Sequence, residues 1–118
     1  MKRQKMILDS QREQMTANWR ERMQTGKEDH QPVVKLFNPC GAATWLLSEI
    51  DPEEPTLAFG LCDLGFGTPE LGYVSLAELS EIKLMGGALY IERDEHFTAT
   101  KTISEYAAEA RREGRVTV

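Results

Sequence analysis

Four side chains have the types and placement that solution chemistry would use: Asp63, Glu70, Asp94 and His96. Asp63 and Glu70 flank the glycine-rich stretch GLCDLGFGTPELGYVSL, and Asp94 and His96 stand two apart in IERDEHF. Carboxylates gathered at one point can hold Mg²⁺, a hard ion that takes oxygen ligands, and can activate water for hydrolysis. A carboxylate beside a histidine can orient it as a base. That chemistry requires the four side chains to meet. If they scatter, IERDEHF is a solvated strand end, where an exposed ion pair contributes about 0–1 kcal/mol.

The glycine stretch is not a phosphate cradle. Gly60 and Gly65 have the spacing of a P-loop, but Phe66 stands where the phosphate-binding lysine is required. Gly65 and Gly67 begin a dinucleotide fingerprint, but Thr68-Pro69-Glu70 follows without the third glycine and without a long helix. The stretch reads as a tight structural corner, with a recognition loop as its functional alternative. Cys62, between Leu61 and Asp63, reads as a small buried hydrophobe. As a nucleophile it would need a base, and His96 is the candidate. There is no C-x-x-C or H-x-x-x-H pattern for zinc. No cofactor is expected, and a divalent metal on the carboxylates is the only one in question.

The elements that must position these residues follow from local patterning. Ser10-Gln11-Arg12-Glu13 reads as a capping box, opening a helix over 10–25 with Met15, Trp19 and Met23 in one stripe and Gly26 as its stop. So narrow a stripe predicts a helix lying along the edge of the body or against a partner. Residues 26–32 form a polar connector. VVKLF (33–37), ATWLLSEI (43–50), TLAFGLCDLG (56–65), LGYVS (71–75) and ALYIERD (88–94) read as strands. The DPEEP turn (51–55) joins two of them as an antiparallel hairpin, with Leu57, Phe59 and Leu61 on one face. Capping boxes at Ser75–Glu78 and Thr102–Glu105 open helices over 76–83 and 102–113. Strands joined by short turns cannot be parallel neighbours. The expectation is one α+β domain over 1–118, an N-terminal helical segment (1–30) and a body (31–118). Its mainly antiparallel sheet has about five strands, with an N-terminal, a short middle and a C-terminal helix on one face or at one end.

A chain of 118 residues with 41% hydrophobic and 28% charged residues suits one soluble core. No apolar run approaches the roughly 20 residues of a membrane helix, and the N-terminus lacks the pattern of a signal peptide. With two cysteines, a reducing cytoplasmic location is expected, both remaining thiols. Net charge is −5; residues 1–30 carry seven basic and five acidic side chains, a balance of +2, which leaves −7 on the rest. The acidic body favours a protein partner, and the basic first helix leaves room for a nucleic-acid contact. Arg12, Trp19, Arg20 and Arg93 are the candidate contact residues, and Met15, Trp19 and Met23 could make a homodimer interface.

The features GLCDLGFG, PELGYVSL and IERDEHF together resemble one bacterial family, catalogued as domain of unknown function 2958. The likeness covers about residues 6–116. It implies a cytoplasmic bacterial protein associated with plasmids and other mobile DNA, and it implies no catalytic residues. Two functions follow as expectations: a small non-enzymatic binding module for a protein or nucleic acid, or a metal-assisted hydrolase or nuclease acting through Asp63, Glu70, Asp94 and His96.

Overall fold

The computed structural model describes residues 3–118. The elements run α1 (Asp9–Thr25), β1 (Val34–Phe37), β2 (Thr44–Ile50), β3 (Leu57–Asp63), β4 (Glu70–Ser75), α2 (Leu76–Glu81), β5 (Lys83–Leu84), a 3₁₀ turn (Met85–Gly87), β6 (Leu89–Tyr90), β7 (Glu92–Arg93) and α3 (Ile103–Glu113). Five strands form an antiparallel sheet in the order β4-β3-β2-β1-β7, which makes the chain an α+β protein as expected.

Helices cover both faces of that sheet, not one face or one end. Alternate residues of β2 enter different cores. Trp45 and Leu47 join Met15, Val34, Leu36, Ala58, Leu76 and Leu79. Leu46 joins Leu61 and the α3 residues Ile103, Tyr106, Ala107 and Ala110. A strand buried on both sides reads as an unbroken apolar run, and TWLL is one. α1 packs against this central strand and not along an edge.

Other boundaries differ for local reasons. α1 starts at Asp9, ahead of the Ser10 box, because the Gln11 side chain accepts a hydrogen bond from the Leu8 N–H. α2 ends at Glu81, and Lys83-Leu84 pairs with Leu89-Tyr90 in a separate two-stranded hairpin. The single strand expected over 88–94 is therefore two. Ile91, 4% exposed, lies between them, and Glu92-Arg93 pairs with β1 in the main sheet. The box at Thr102 forms as read, with the Glu105 carboxylate accepting from the Thr102 N–H, whereas at Ser75 only half of it forms, Ser75 Oγ accepting from the Glu78 N–H.

One irregularity sets the chemistry. Leu47 pairs with Gly60 and Glu49 with Phe59, so Ser48 is an extra residue in β2, a β-bulge. Simple alternation would send Glu49 into the apolar core beside Trp45 and Leu47. The bulge turns it onto the face of its partner Phe59, while Ile50 returns to the α1 core. Gly60 allows this close approach, since a Cβ there would stand 1.9 Å from the Leu46 carbonyl oxygen.

Candidate functional site

The four residues singled out for chemistry fall into two separate pairs: Glu70 on β4 stands opposite Cys62, the neighbour of Asp63 on β3, while Asp94 and His96 follow β7 across the sheet. Asp63 is 1% exposed, and both of its oxygens are used: Oδ1 accepts from the Gly65 N–H and Oδ2 from the Val116 N–H, each at 2.9 Å. It fastens the glycine loop and the C-terminal tail together. Gly65, at φ 87°, completes that corner. Glu70 opens β4 with its side chain exposed. Asp94 accepts from Lys35 Nζ at 3.1 Å and from the His96 N–H at 2.9 Å, and the His96 backbone bond holds its carboxyl below the ordinary range, with Lys35 assisting against desolvation. His96 is exposed. β3 and β7 are separated by β2 and β1, about 14 Å at the usual strand spacing. Among the described residues, no group of three or more His, Cys, Asp or Glu is placed to hold a metal ion.

Cys62 lies in β3, far across the sheet from His96, and burial pushes its thiol up to about 11. A thiol so fully protonated at neutral pH is a poor nucleophile. Cys40 and Cys62 are both free thiols.

The four candidate contact residues also divide. Arg12 donates to the Pro55 carbonyl, and Arg20 is exposed on α1. Arg93 is committed to the N-terminal segment, its guanidinium on the Lys5 carbonyl and its N–H on Gln4. Trp19 is half-buried. Met15 is fully buried, which removes it from any interface, and Met23 is 56% exposed.

The inward face of α1 runs Met15, Asn18, Arg22 and not Met15, Trp19, Met23. Asn18 donates to the Ser48 carbonyl of the bulge at 2.9 Å. Arg22 Nε donates to Glu49 Oε1 at 2.8 Å, with Glu49 2% exposed. Burial works against the Arg22 charge, but the Tyr73 hydroxyl and the Glu49 carboxylate outweigh it and hold the guanidinium pKa above its ordinary value. On its other oxygen Glu49 meets His30 Nδ1 at 3.4 Å. The next residue back, Asp29, accepts from the Ser104 N–H and Oγ at 2.9 and 2.6 Å, while the His30 carbonyl accepts from the Ile103 N–H at 2.8 Å. The connector thus closes the N-terminus of α3.

Around this buried ion pair the surface is concave. A cleft of ≈ 400 Å³ is lined by Arg22, Glu28, Asp29, Glu49, Phe59, Leu71, Ile103 and Ser104. A smaller one of ≈ 250 Å³ is lined by Trp19, Asp51, Glu54, Leu57 and Tyr73. They adjoin where Phe59 and Tyr73 pack edge to face, ring centroids 5.3 Å apart. Tyr73 is 61% exposed on the edge strand β4. Four carboxylates (Glu28, Asp29, Asp51, Glu54) lie around this aromatic corner, while Glu49 is buried on the Arg22 guanidinium. A surface of this kind presents aromatic faces to a cation and carboxylates to its charge.

Sequence reasoning placed Phe59 on a shared strand face but passed over Arg22, His30, Glu49 and Tyr73. Ser-Glu at the end of an apolar strand, facing a bulge-permitting glycine across the hairpin, is the signal that was present.

Among the described residues no helix is long and apolar enough to cross a membrane. No curated protein and no solved structure matches the chain. The model of the family described as protein of unknown function (DUF2958) matches residues 6–117, nearly the whole length, and the chain belongs to that family.

Proposed function

We propose that this protein is a non-enzymatic binding module that docks a basic segment of a partner protein on the corner formed by Trp19, Phe59 and Tyr73. The observation that carries this reading is Tyr73, 61% exposed against Phe59 and ringed by the carboxylates of two clefts. Large aromatic side chains left open on a rigid sheet are the usual anchors of protein interfaces. The acidic surround selects a cationic partner and repels the nucleic-acid backbone. In this reading the protein serves the maintenance of mobile DNA in a bacterial cytoplasm, as the family resemblance implies. The separation of Asp63 and Glu70 from Asp94 and His96 gives a metal-assisted hydrolase no comparable support.

The test is fluorescence anisotropy with three labelled probes: a lysine- and arginine-rich peptide, a glutamate-rich peptide and a DNA duplex, across a salt series. Saturable, salt-sensitive binding of the basic peptide alone is expected. Tyr73→Ala should weaken it about tenfold, the effect of a single interface anchor. Preference for the duplex, or no binding of the basic peptide at low salt, overturns the proposal.

A further inference from the structure

The two edges of the main sheet end differently. At β7 the Gln4 side-chain amide stands where another strand would: its oxygen accepts from the Arg93 N–H at 2.8 Å, and its nitrogen donates to the Arg93 carbonyl at 3.0 Å. The β4 edge has no such cover. The Leu76 N–H donates to the Thr56 carbonyl at 2.7 Å, which fixes the phase of the β3–β4 ladder. Val74, Gly72 and Glu70 therefore exchange bonds with Ala58, Gly60 and Cys62, and the residues between them turn their main-chain groups outward. These groups are the N–H and C=O of Leu71 and Tyr73 and the N–H of Ser75. Among the described residues none of them has a hydrogen-bond partner.

Proteins blunt such an edge with lysine, proline, a bulge or a very short strand. β4 runs six residues, ELGYVS, with none of these devices, and its register against β3 is unbroken from Ser75 to Glu70. Its two faces differ. Leu71 and Tyr73 lie on the face of the aromatic corner, with Phe59 and the clefts that hold Glu28, Asp29, Asp51 and Glu54. Arg22, which lines the first of those clefts, is already paired with Glu49. Gly72 and Val74 lie on the other face, where a Cβ on Gly72 would meet nothing within 4 Å. A second copy of the chain, joined edge to edge, would bring two sets of these carboxylates together, which like charge opposes. The open edge and its charge suit an extended cationic segment.

We infer that a basic segment of a partner protein pairs antiparallel with β4 and extends the main sheet by one strand. Every pair in that sheet is already antiparallel. Partner residues opposite Leu71, Tyr73 and Ser75 bond to their main-chain groups and carry lysine or arginine toward the carboxylates. Partner residues between them lie beside Gly72 and Val74 and are apolar. The segment therefore alternates basic and apolar side chains, since directly opposed residues share a face. The pairing rests on the docking reading and adds to it the partner's backbone conformation and the spacing of its charges.

The experiment uses the full chain labelled with ¹⁵N and four fluorescent peptides of equal length and charge. One alternates lysine and valine, and one holds the same residues in two blocks. The other two are the alternating peptide N-methylated on its lysine amides or on its valine amides. Affinity is read by anisotropy, and the edge by amide hydrogen exchange. The alternating and valine-methylated peptides should bind alike. The lysine-methylated and block peptides should bind at least about tenfold more weakly, as for two or more lost hydrogen bonds. The Leu71 and Tyr73 amides should exchange fast in the free protein and slowly with the alternating peptide. Equal binding of all four peptides overturns strand pairing and leaves the docking reading standing, whereas binding of none overturns both. Loss of affinity on methylating valine and not lysine overturns the antiparallel pairing. Edge amides that are slow in the free protein and quicken on dilution would show a second copy on β4, which also overturns it.

Discussion

Arg22 Nε lies 2.8 Å from Glu49 Oε1, joining the first helix to the central strand across a position that is 2% exposed on the carboxylate side. Removing the guanidinium leaves a buried carboxylate with only the His30 ring beside it. Arg22→Ala should therefore cost about 3 kcal/mol, read as a lower urea midpoint. The double variant Arg22→Met with Glu49→Leu should recover most of that loss, because an apolar pair avoids the desolvation of both charges. A single variant as stable as the parent would show that the pair is not needed.

Gly60→Ala tests the bulge. The added methyl would stand 1.9 Å from the Leu46 carbonyl oxygen and 2.8 Å from the Leu47 Cα, so the backbone of β2 would have to shift. A cost above about 2 kcal/mol is expected, with amide shifts spreading through Leu46–Glu49 in NMR spectra. A neutral substitution with an unchanged spectrum would contradict the close approach.

Asp29 makes a pH-dependent contribution. Desolvation acts to raise its carboxyl pKa, but the side-chain and backbone bonds from Ser104 outweigh it and hold the value below the ordinary 3.8. A depressed carboxyl contributes stability that is full above the unfolded value and fades as pH falls through the folded one. Asp29→Ala should cost about 1 kcal/mol at neutral pH, as for a lost helix cap. The gap between parent and variant should close below about pH 4. Urea midpoints from pH 2 to 7 measure it, and a gap that persists at pH 2 would assign the effect to packing.

The thiols should separate by reactivity. Cys40 is exposed, whereas burial pushes Cys62 up to about 11. At pH 8 a disulfide reagent should modify one thiol rapidly in the native protein and both in denaturant. Fast double modification of the native state would place Cys62 outside the sheet.

Much of the fold is written in short-range signals. The capping boxes at Ser75 and Thr102, the 51–55 turn and the alternation in β3 lie within a few residues of what they determine. The buried polar system is not local. Asn18 reaches Ser48, Arg22 reaches Glu49, and Asp29 reaches Ser104 across 30, 27 and 75 positions. In the sequence each reads as an ordinary surface polar residue, so the apolar spacing of α1 points to Met15, Trp19 and Met23 instead of the observed inward face. His30, inside the polar run GKEDHQP, reads as a connector residue for the same reason. Asp63 and Asp94 attracted a catalytic reading because buried or strand-end carboxylates serve structure and chemistry with the same local pattern.

The closure of α3 by Asp29 and His30 has a kinetic side. The amides that begin this helix are satisfied by a segment synthesised 75 residues earlier. A ribosome-bound chain must hold that segment ready until α3 emerges, so the native bond can form only after Ser104 has been synthesised. The ordering of the 26–33 connector and the docking of α3 are then coupled, the two halves of a clasp.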